Sequence, residues 1–152
     1  MARLAYDFSI DVDIGPEAIL AAATDFGPRR PELWPAITRS RYLLLQRGDQ
    51  WAEVVEGTGP VWSRERYDWT TPGLVIATQV DSNAALPGGV WQMRVVETSG
   101  GGSRIDIHLQ RTTKGLLGWT LAATIKVLGG KRFLALQLRR TVRRIEGIRK
   151  AS

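Results

Sequence analysis

The sequence contains no cysteine, and this absence excludes two kinds of structure. A disulfide framework and a thiolate zinc site both require cysteine side chains. The chain also lacks the nucleotide-binding patterns GxGxxG and GxxxxGK[ST] and the metalloprotease pattern HExxH. We therefore expect neither a bound metal ion nor a cofactor.

Hydrophobic runs long enough to cross a bilayer are missing as well. The apolar run at residues 115–127 contains Lys126 and falls short of the roughly 20 residues that a spanning helix needs. Residues 1–14 alternate polar and apolar side chains, unlike the uninterrupted apolar core of a secretory signal. We expect a cytoplasmic protein without an export signal, and residues 1–152 fit a single domain.

Negative charge is scarce at the end of the chain. Residues 114–150 carry ten Lys or Arg and one acidic residue, Glu146. A solvated helix face accounts for these cations, and contact with anionic lipid headgroups is the functional alternative. Because no aromatic residue follows Phe133 to stack on bases, we expect no nucleic-acid partner.

The same segment, residues 114–150, is long and periodic enough to be the helix on which the other elements pack. Its apolar residues recur at helical spacing. They are Leu117, Leu121, Ile125, Leu128, Ala135, Leu138, Val142 and Ile145. Gly129-Gly130 interrupts this stripe, and because each glycine costs about 1 kcal/mol against alanine inside a helix, we predict a kink or break there.

The preceding residues indicate a sheet with two short helices. Period-two alternation over residues 4–14 predicts a first strand. Gly15-Pro16-Glu17 is typical of a helix start, and a second short helix is predicted at residues 31–34. Residues 42–45 and 51–55 are predicted to form a hairpin about Gly48-Asp49.

Strand phasing predicts which side chains face the core. A two-residue turn at Pro72-Gly73 would pair Tyr67 with Thr78. The apolar side of the second strand would then be Leu74, Ile76 and Val80. The inward residues of the first strand would be Glu65, Tyr67 and Trp69. Its outward residues would be Trp62, Arg64 and Arg66.

Parity also phases the last two strands, on either side of the glycines at residues 100–102. Their inward residues are predicted to be Trp91, Met93, Val95, Ile105, Ile107 and Leu109. The only histidine, His108, then shares the polar side with Arg104 and Asp106. We expect a surface imidazole there and not a general base or metal ligand.

Several local features accompany this order of one strand, two short helices, six strands and a long helix. They are Pro16-Glu17, Trp34-Pro35, Gly57, Gly59, the Trp-Ser-Arg-Glu-Arg run at residues 62–66, Trp91, and residues 100–104. Together they resemble the SRPBCC superfamily, which includes START lipid-transfer domains, birch-pollen-allergen-like proteins and polyketide cyclase/dehydrase-like proteins. The resemblance implies an α+β helix-grip fold, in which a seven-stranded curved antiparallel sheet wraps around a long C-terminal helix.

The leading functional hypothesis is binding, or transport, of a hydrophobic small molecule such as a lipid, sterol or polyketide. The resemblance implies space between sheet and helix, and large aromatics suit a site that holds and orients an apolar ligand. The candidate lining residues are Trp34, Tyr67, Trp69, Trp91, Met93, Leu121 and Ile125. The alternative is that the tryptophans only fill the core.

An enzyme that acts in the same cavity is the second hypothesis, namely a cofactor-independent polyketide cyclase or dehydratase. An inward Glu65 would be the general base, because burial raises a carboxyl pKa, and Tyr67 would orient the enolate oxygen. The resemblance to aromatic polyketide cyclases instead implies Arg66 as the acting residue. The phasing turns Arg66 outward, so the two arguments disagree.

A membrane-associated lipid carrier is the third hypothesis. Leu116-Leu117, Trp119 and the basic face of the C-terminal helix would form its contact with an anionic membrane. Both a monomer and a homodimer are compatible with the sequence.

Overall fold

The framework of the computed structural model, which describes residues 1–151, is one sheet of seven antiparallel strands. The strands are β1 Arg3–Val12, β2 Leu43–Arg47, β3 Trp51–Thr58, β4 Val61–Asp68, β5 Leu74–Ser82, β6 Val90–Glu97 and β7 Ser103–Thr112. Their spatial order is β1-β7-β6-β5-β4-β3-β2. The helices are α1 Pro16–Ala23, α2 Arg30–Leu33, α3 Gly115–Val127 and α4 Lys131–Ala151. The predicted α+β architecture is confirmed.

Alternation along β1, β6 and β7 fixes one face of the sheet as the core side. Ile10 lies opposite Ile105 across the β1/β7 pair, and Met93 lies opposite Ile107 across the β6/β7 pair. All four side chains are buried. The predicted parity of these strands is therefore confirmed.

His108 lies on the other face of the sheet, as predicted. Its Nδ1 is 2.6 Å from Oδ1 of Asp7, and the side chain of His108 is 41% exposed. The imidazole is therefore a surface group.

The helix α4 closes the core over the sheet. Leu138, Val142 and Ile145 are buried there, and burying each such side chain contributes about 1.5–3 kcal/mol. The arginines at the predicted outward positions, Arg139, Arg140, Arg143 and Arg144, are all exposed. The amphipathic pattern of this half of the segment is confirmed.

The predicted break between the helices is present at Gly129-Gly130. Both glycines have positive φ angles, of 106° and 57°, a region that side chains with a Cβ rarely adopt. A Cβ on Gly130 would also lie 3.2 Å from the ring of Tyr6. The chain therefore ends one helix and starts another instead of continuing as a rod.

The apolar stripe of α3 packs less well than predicted. Only Gly118 and Ala122 are buried on this helix, whereas Leu128, expected in the core, is 52% exposed. Because the break follows directly, Leu128 is a C-terminal cap and not part of a continuous packing face. None of the helices within residues 1–151 combines the length and the apolarity of a membrane-spanning segment.

The predicted register of β4 and β5 is wrong by one residue. Tyr67 pairs with Ala77 and not with Thr78, because residues 69–73 form a five-residue connection in which the N–H of Trp69 donates to the carbonyl of Gln50. The inward residues of β5 are consequently Val75, Ala77 and Gln79, in place of the predicted Leu74, Ile76 and Val80.

The orientation predicted for β4 itself is correct. Glu65 and Tyr67 are buried, while Arg64 and Arg66 are exposed. Trp62, which was expected outside, is half-buried. A β-bulge opposite Arg64 and Glu65 leaves Val80 of β5 unpaired.

Candidate ligand-binding cavities

A cavity of about 240 Å³, called the main cavity below, lies between the inner face of the sheet, α2 and α4. Its apolar walls include Phe8, Trp91 and Ile107 from the sheet, Trp34 after α2 and Leu138 from α4. A cavity of about 150 Å³ in a protein core is enough to hold benzene. The main cavity therefore has room for a molecule of two or more rings.

The aromatic rings in this cavity meet edge to face. Trp34 and Trp91 have ring centroids 6.1 Å apart at 87°, and Tyr67 lies 6.5 Å from Trp91 at 65°. The indole N–H of Trp34 donates to the carbonyl of Ala22 at 3.1 Å, which holds the ring in place. These geometries leave flat apolar surfaces available to a ligand.

A buried cation, Arg30, forms part of the cavity wall. Only 2% of this residue is exposed, and its guanidinium carbon lies 4.1 Å from the ring centroid of Phe26 and 4.9 Å from that of Tyr67. Its Nη1 donates to the carbonyls of Ala23 and Asp25. Burial acts to lower the pKa of Arg30, but Tyr67 and Glu56 outweigh it and raise the pKa, so the guanidinium stays charged.

Glu56 links this cation to the tyrosine. Its carboxylate lies 3.4 Å from Nε of Arg30 and accepts a hydrogen bond from the hydroxyl of Tyr67. Burial, followed by the charge of Glu56, raises the pKa of Tyr67 well above its usual value. The phenol is therefore neutral and points a donor at the carboxylate.

A second cavity of about 250 Å³, called the second chamber below, adjoins the main cavity. The two share walls at Ala36, Ile37, Glu56 and Arg111. The other polar lining residues of the second chamber are Ser63, Glu65, Gln79, Ser82 and Thr113, and Leu121 of α3 closes one side.

Glu65 is the central charge of the second chamber. It is 3% exposed, pairs with Nη2 of Arg111 at 3.0 Å and accepts a hydrogen bond from Ser63 at 2.6 Å. Burial raises the pKa of Glu65 and outweighs the opposing effects of Arg111 and Ser63. The arrangement is a carboxylate–guanidinium pair whose carboxylate is poorly solvated.

Three predicted lining residues, Trp34, Tyr67 and Trp91, lie at the main cavity. Leu121 lies instead at the second chamber. The other three predicted residues line neither cavity.

Trp69, Met93 and Ile125, which were predicted to line the cavity, lie elsewhere in the fold. Trp69 follows the end of β4 and stacks on Phe26, with centroids 5.5 Å apart. Met93 is fully buried in the core of the sheet. Ile125 is half-buried on α3, a helix that ends before the glycine break.

The catalytic candidates separate in space. Tyr67 lines the main cavity and Glu65 the second chamber. Arg66 lies on the outer face, with its guanidinium carbon 4.2 Å from the ring centroid of Trp51. It lines neither cavity, so the position implied for it by the cyclase resemblance is wrong.

Sequence reasoning missed Arg30, Glu56, Gln79 and Arg111. The inward position of Glu56 could have been predicted, because Glu56 has the same parity in β3 as the buried Val54. Arg30 belongs to a helix of four residues, which is too short to show periodicity.

Residues 3–146 match the family model described as polyketide cyclase / dehydrase and lipid transport. No curated protein sequence gives a significant match. The Zhui aromatase/cyclase from Streptomyces sp. R1128 is similar in structure, with a TM-score of 0.72 and 10% identity over 95% of this chain and 96% of the other.

Two further solved structures are similar to this chain. A START superfamily protein from Mycobacterium smegmatis has a TM-score of 0.70 and 12% identity, covering 95% of this chain and 98% of its own. Truncated norcoclaurine synthase from Thalictrum flavum has a TM-score of 0.65 and 12% identity, covering 92% and 91%. At these identities the likeness concerns the fold alone, and it confirms the predicted helix-grip fold.

Proposed function

The chain belongs to the polyketide cyclase/dehydrase and lipid-transport family of the SRPBCC superfamily, and from that premise we propose that it binds a hydrophobic small molecule in the main cavity. The observation that carries the proposal is a cavity of about 240 Å³ with aromatic walls. Such cavities favour apolar ligands, because binding removes apolar surface of both the ligand and the cavity wall from water. Lipids, sterols and polyketides are the ligand classes we propose.

Charge in the cavity wall supports a ligand with a polar edge. Arg30 and Glu56 already neutralise each other, so a ligand with a full charge would have to be buried without a free partner. A neutral molecule with an oxygen substituent meets no such cost.

Titration with polycyclic aromatics, sterols and fatty alcohols tests the proposal. Binding should quench or shift tryptophan fluorescence, because Trp34 and Trp91 line the cavity, with affinity of roughly micromolar order. Leu109→Phe should weaken binding by filling space at the cavity wall. Val96→Phe, on the exposed side of β6, is the matched control. Flat titrations across the whole panel would contradict the proposal.

A second candidate function is a cofactor-independent cyclase or dehydratase acting on a ketide-like substrate. The buried Glu65, with its raised pKa, favours it, because a general base works best when its pKa lies near the working pH. Glu65 would take the proton from a carbon next to a carbonyl group. The substrate would lie where the two cavities meet at Glu56. There the hydroxyl of Tyr67 would turn from Glu56 to donate to the resulting enolate oxygen.

Glu65→Gln keeps the shape of the side chain and removes the base. Turnover of a ketone substrate should fall by about 100-fold or more while ligand affinity holds. Arg66→Gln, on the outer face, is the control and should leave turnover unchanged. The reverse result, with activity lost only in Arg66→Gln, would rule out this assignment.

Membrane contact is the partner interaction we propose for delivery of the ligand. The outer side of α3 exposes Leu116, Trp119 and Val127, which are 79%, 63% and 85% accessible. Exposed lysines, Lys126 and Lys131, flank this side, and residues 107–145 contain no acidic residue. An apolar helix face with cationic flanks suits the interface of an anionic bilayer.

Co-sedimentation with vesicles of phosphatidylcholine, with and without phosphatidylglycerol, tests this contact. Trp119→Ser should reduce binding to the anionic vesicles, whereas Val96→Ser should not. The membrane proposal would be contradicted if the protein bound neither kind of vesicle, or if sedimentation velocity showed that it self-associates through α3. We propose a cytoplasmic location, with which the lack of cysteine is compatible.

A further inference from the structure

We propose that the second chamber is a separate subsite that binds a hydrogen-bond-donating group of the ligand through Oε1 of Gln79. This inference rests on the proposed binding function, because the apolar part of the same molecule would lie in the main cavity. The ligand class that it names is an apolar molecule with a neutral hydroxyl or N–H group at one end.

The first observation is an unpaired acceptor. Gln79 is 4% exposed, and its Oε1 is the one buried side-chain polar atom within residues 1–151 that has no hydrogen-bond partner. Buried polar atoms are nearly always paired, because leaving one unpaired forfeits its hydration. A donor from outside the chain is therefore missing at this position.

The hydrogen bonds around Gln79 fix which atom is unpaired. Arg111 can only donate, so the Glu65 carboxylate accepts. Ser63 gives its one proton to Glu65 and accepts the Gln79 Nε2–H at 3.0 Å. If the Gln79 amide were flipped, its oxygen would face the hydroxyl of Ser63, whose only proton is already donated to Glu65. The free position is thus an acceptor, Oε1.

The chamber beside Gln79 has room for a donor. Gln79 lines the second chamber of about 250 Å³. Its Oε1 is packed beside Gly89, where a Cβ would lie only 3.0 Å away, so a donor in the chamber reaches Oε1 once the Gln79 amide turns toward the chamber. The chamber shares Arg111 with the main cavity, so one elongated molecule has access to both.

Charge selects the kind of donor. The carboxylate of Glu65 is already paired with Arg111, so an ammonium group would be buried without its own counter-ion. A carboxylate end would face two acceptors, Glu65 and Gln79. A neutral alcohol, phenol, enol or amide N–H satisfies Oε1 without either cost.

Three naphthalene derivatives test the subsite by isothermal titration calorimetry. 2-Naphthol carries the donor, 2-methoxynaphthalene has similar shape without it, and 2-naphthoate carries a charge instead. The wild type should bind 2-naphthol about fivefold to tenfold more tightly than the methoxy compound, and 2-naphthoate more weakly than either. Gln79→Met should abolish the preference for 2-naphthol while affinity for the methoxy compound holds.

Gln92→Met, on the opposite face of the sheet from Met93, is the matched control and should keep the preference. If neither these three probes nor any ligand of the wider panel binds the wild type, the proposed binding function itself is contradicted. If the probes bind but 2-naphthol has no advantage in the wild type, only the subsite is overturned. This ranking in the wild type decides the question even if Gln79→Met fails to fold.

Discussion

The helices α3 and α4 follow each other in the chain but use their apolar side chains differently. The α4 helix has cations on one side and buries Leu138 on the other. The α3 helix is apolar almost all round and buries only Gly118 and Ala122. A polar face fixes the orientation of a helix, because only one rotation keeps the charges in water. Without such a face, α3 is positioned by the small residues that permit close approach.

The comparison predicts its largest effect at Leu138. Leu138→Asp places a charge among buried apolar side chains without a partner, and should lower the free energy of unfolding by about 3–5 kcal/mol or prevent folding. Val127→Asp makes the same chemical change on the exposed side of α3 and should change it by less than about 0.5 kcal/mol. Urea denaturation measures both, and equal losses would show that the two helices pack alike.

A glycine pair sharpens the comparison. A Cβ on Gly118 would lie 2.3 Å from the carbonyl oxygen of Ala84, which accepts the N–H of Lys114. Gly118→Ala should therefore destabilise the protein by about 1–3 kcal/mol, despite the higher helix propensity of alanine. Gly147→Ala in α4, where no atom lies within 4 Å, should stabilise it by up to about 1 kcal/mol. Thermal unfolding of both variants checks the signs, and stabilisation by Gly118→Ala would mean that α3 is not anchored there.

These differences show which parts of the fold the sequence could predict. Alternation identified β1 and the β6/β7 pair, because burial of one sheet face permits a single register. The β4/β5 register was not predictable in the same way, because it depends on a five-residue connection whose length the turn residues alone do not reveal. The break at Gly129-Gly130 was predictable, because it follows from the conformational cost of glycine in a helix.

The site was predictable only where parity applied. Tyr67 and Glu65 share the inward face of a strand, and their burial followed from that. Gln79 was missed because its inward position depends on the β4/β5 register. Arg30 was missed because its contacts join Phe26, Glu56 and Tyr67, which are distant in sequence.

The helices α3 and α4 also differ in the cavity that each one borders. Leu138 of α4 lines the main cavity, whereas Leu121 of α3 lines the second chamber, which contains Glu65. Burial raises the pKa of Glu65 in that chamber. With a folded pKa above the unfolded value, the native state holds the proton more tightly, so this contribution to stability is complete below the unfolded pKa and is lost as pH rises through the folded pKa.

Glu65→Gln does not titrate, so the difference in melting temperature between wild type and variant isolates this effect. The advantage of the wild type should shrink as pH rises from about 4 toward neutrality. Carboxyl groups with lowered pKa values, such as Asp25 and Asp106, contribute equally to both proteins and cancel. A difference that grows with pH would show that the Arg111 pairing outweighs burial.

The smallest expected effect on stability is at the outer face of α3. Leu116 is 79% exposed, so Leu116→Ser should change the free energy of unfolding by less than about 0.5 kcal/mol. Leu136→Ser in α4, at a residue that is also exposed, should be equally mild. If α3 rather than α4 meets the membrane, only Leu116→Ser should weaken co-sedimentation with anionic vesicles, because its apolar contact with lipid is lost. Equal weakening by both variants would assign the membrane contact to the two helices together, and a large loss of stability in Leu116→Ser would mean that the outer face of α3 is packed against the protein.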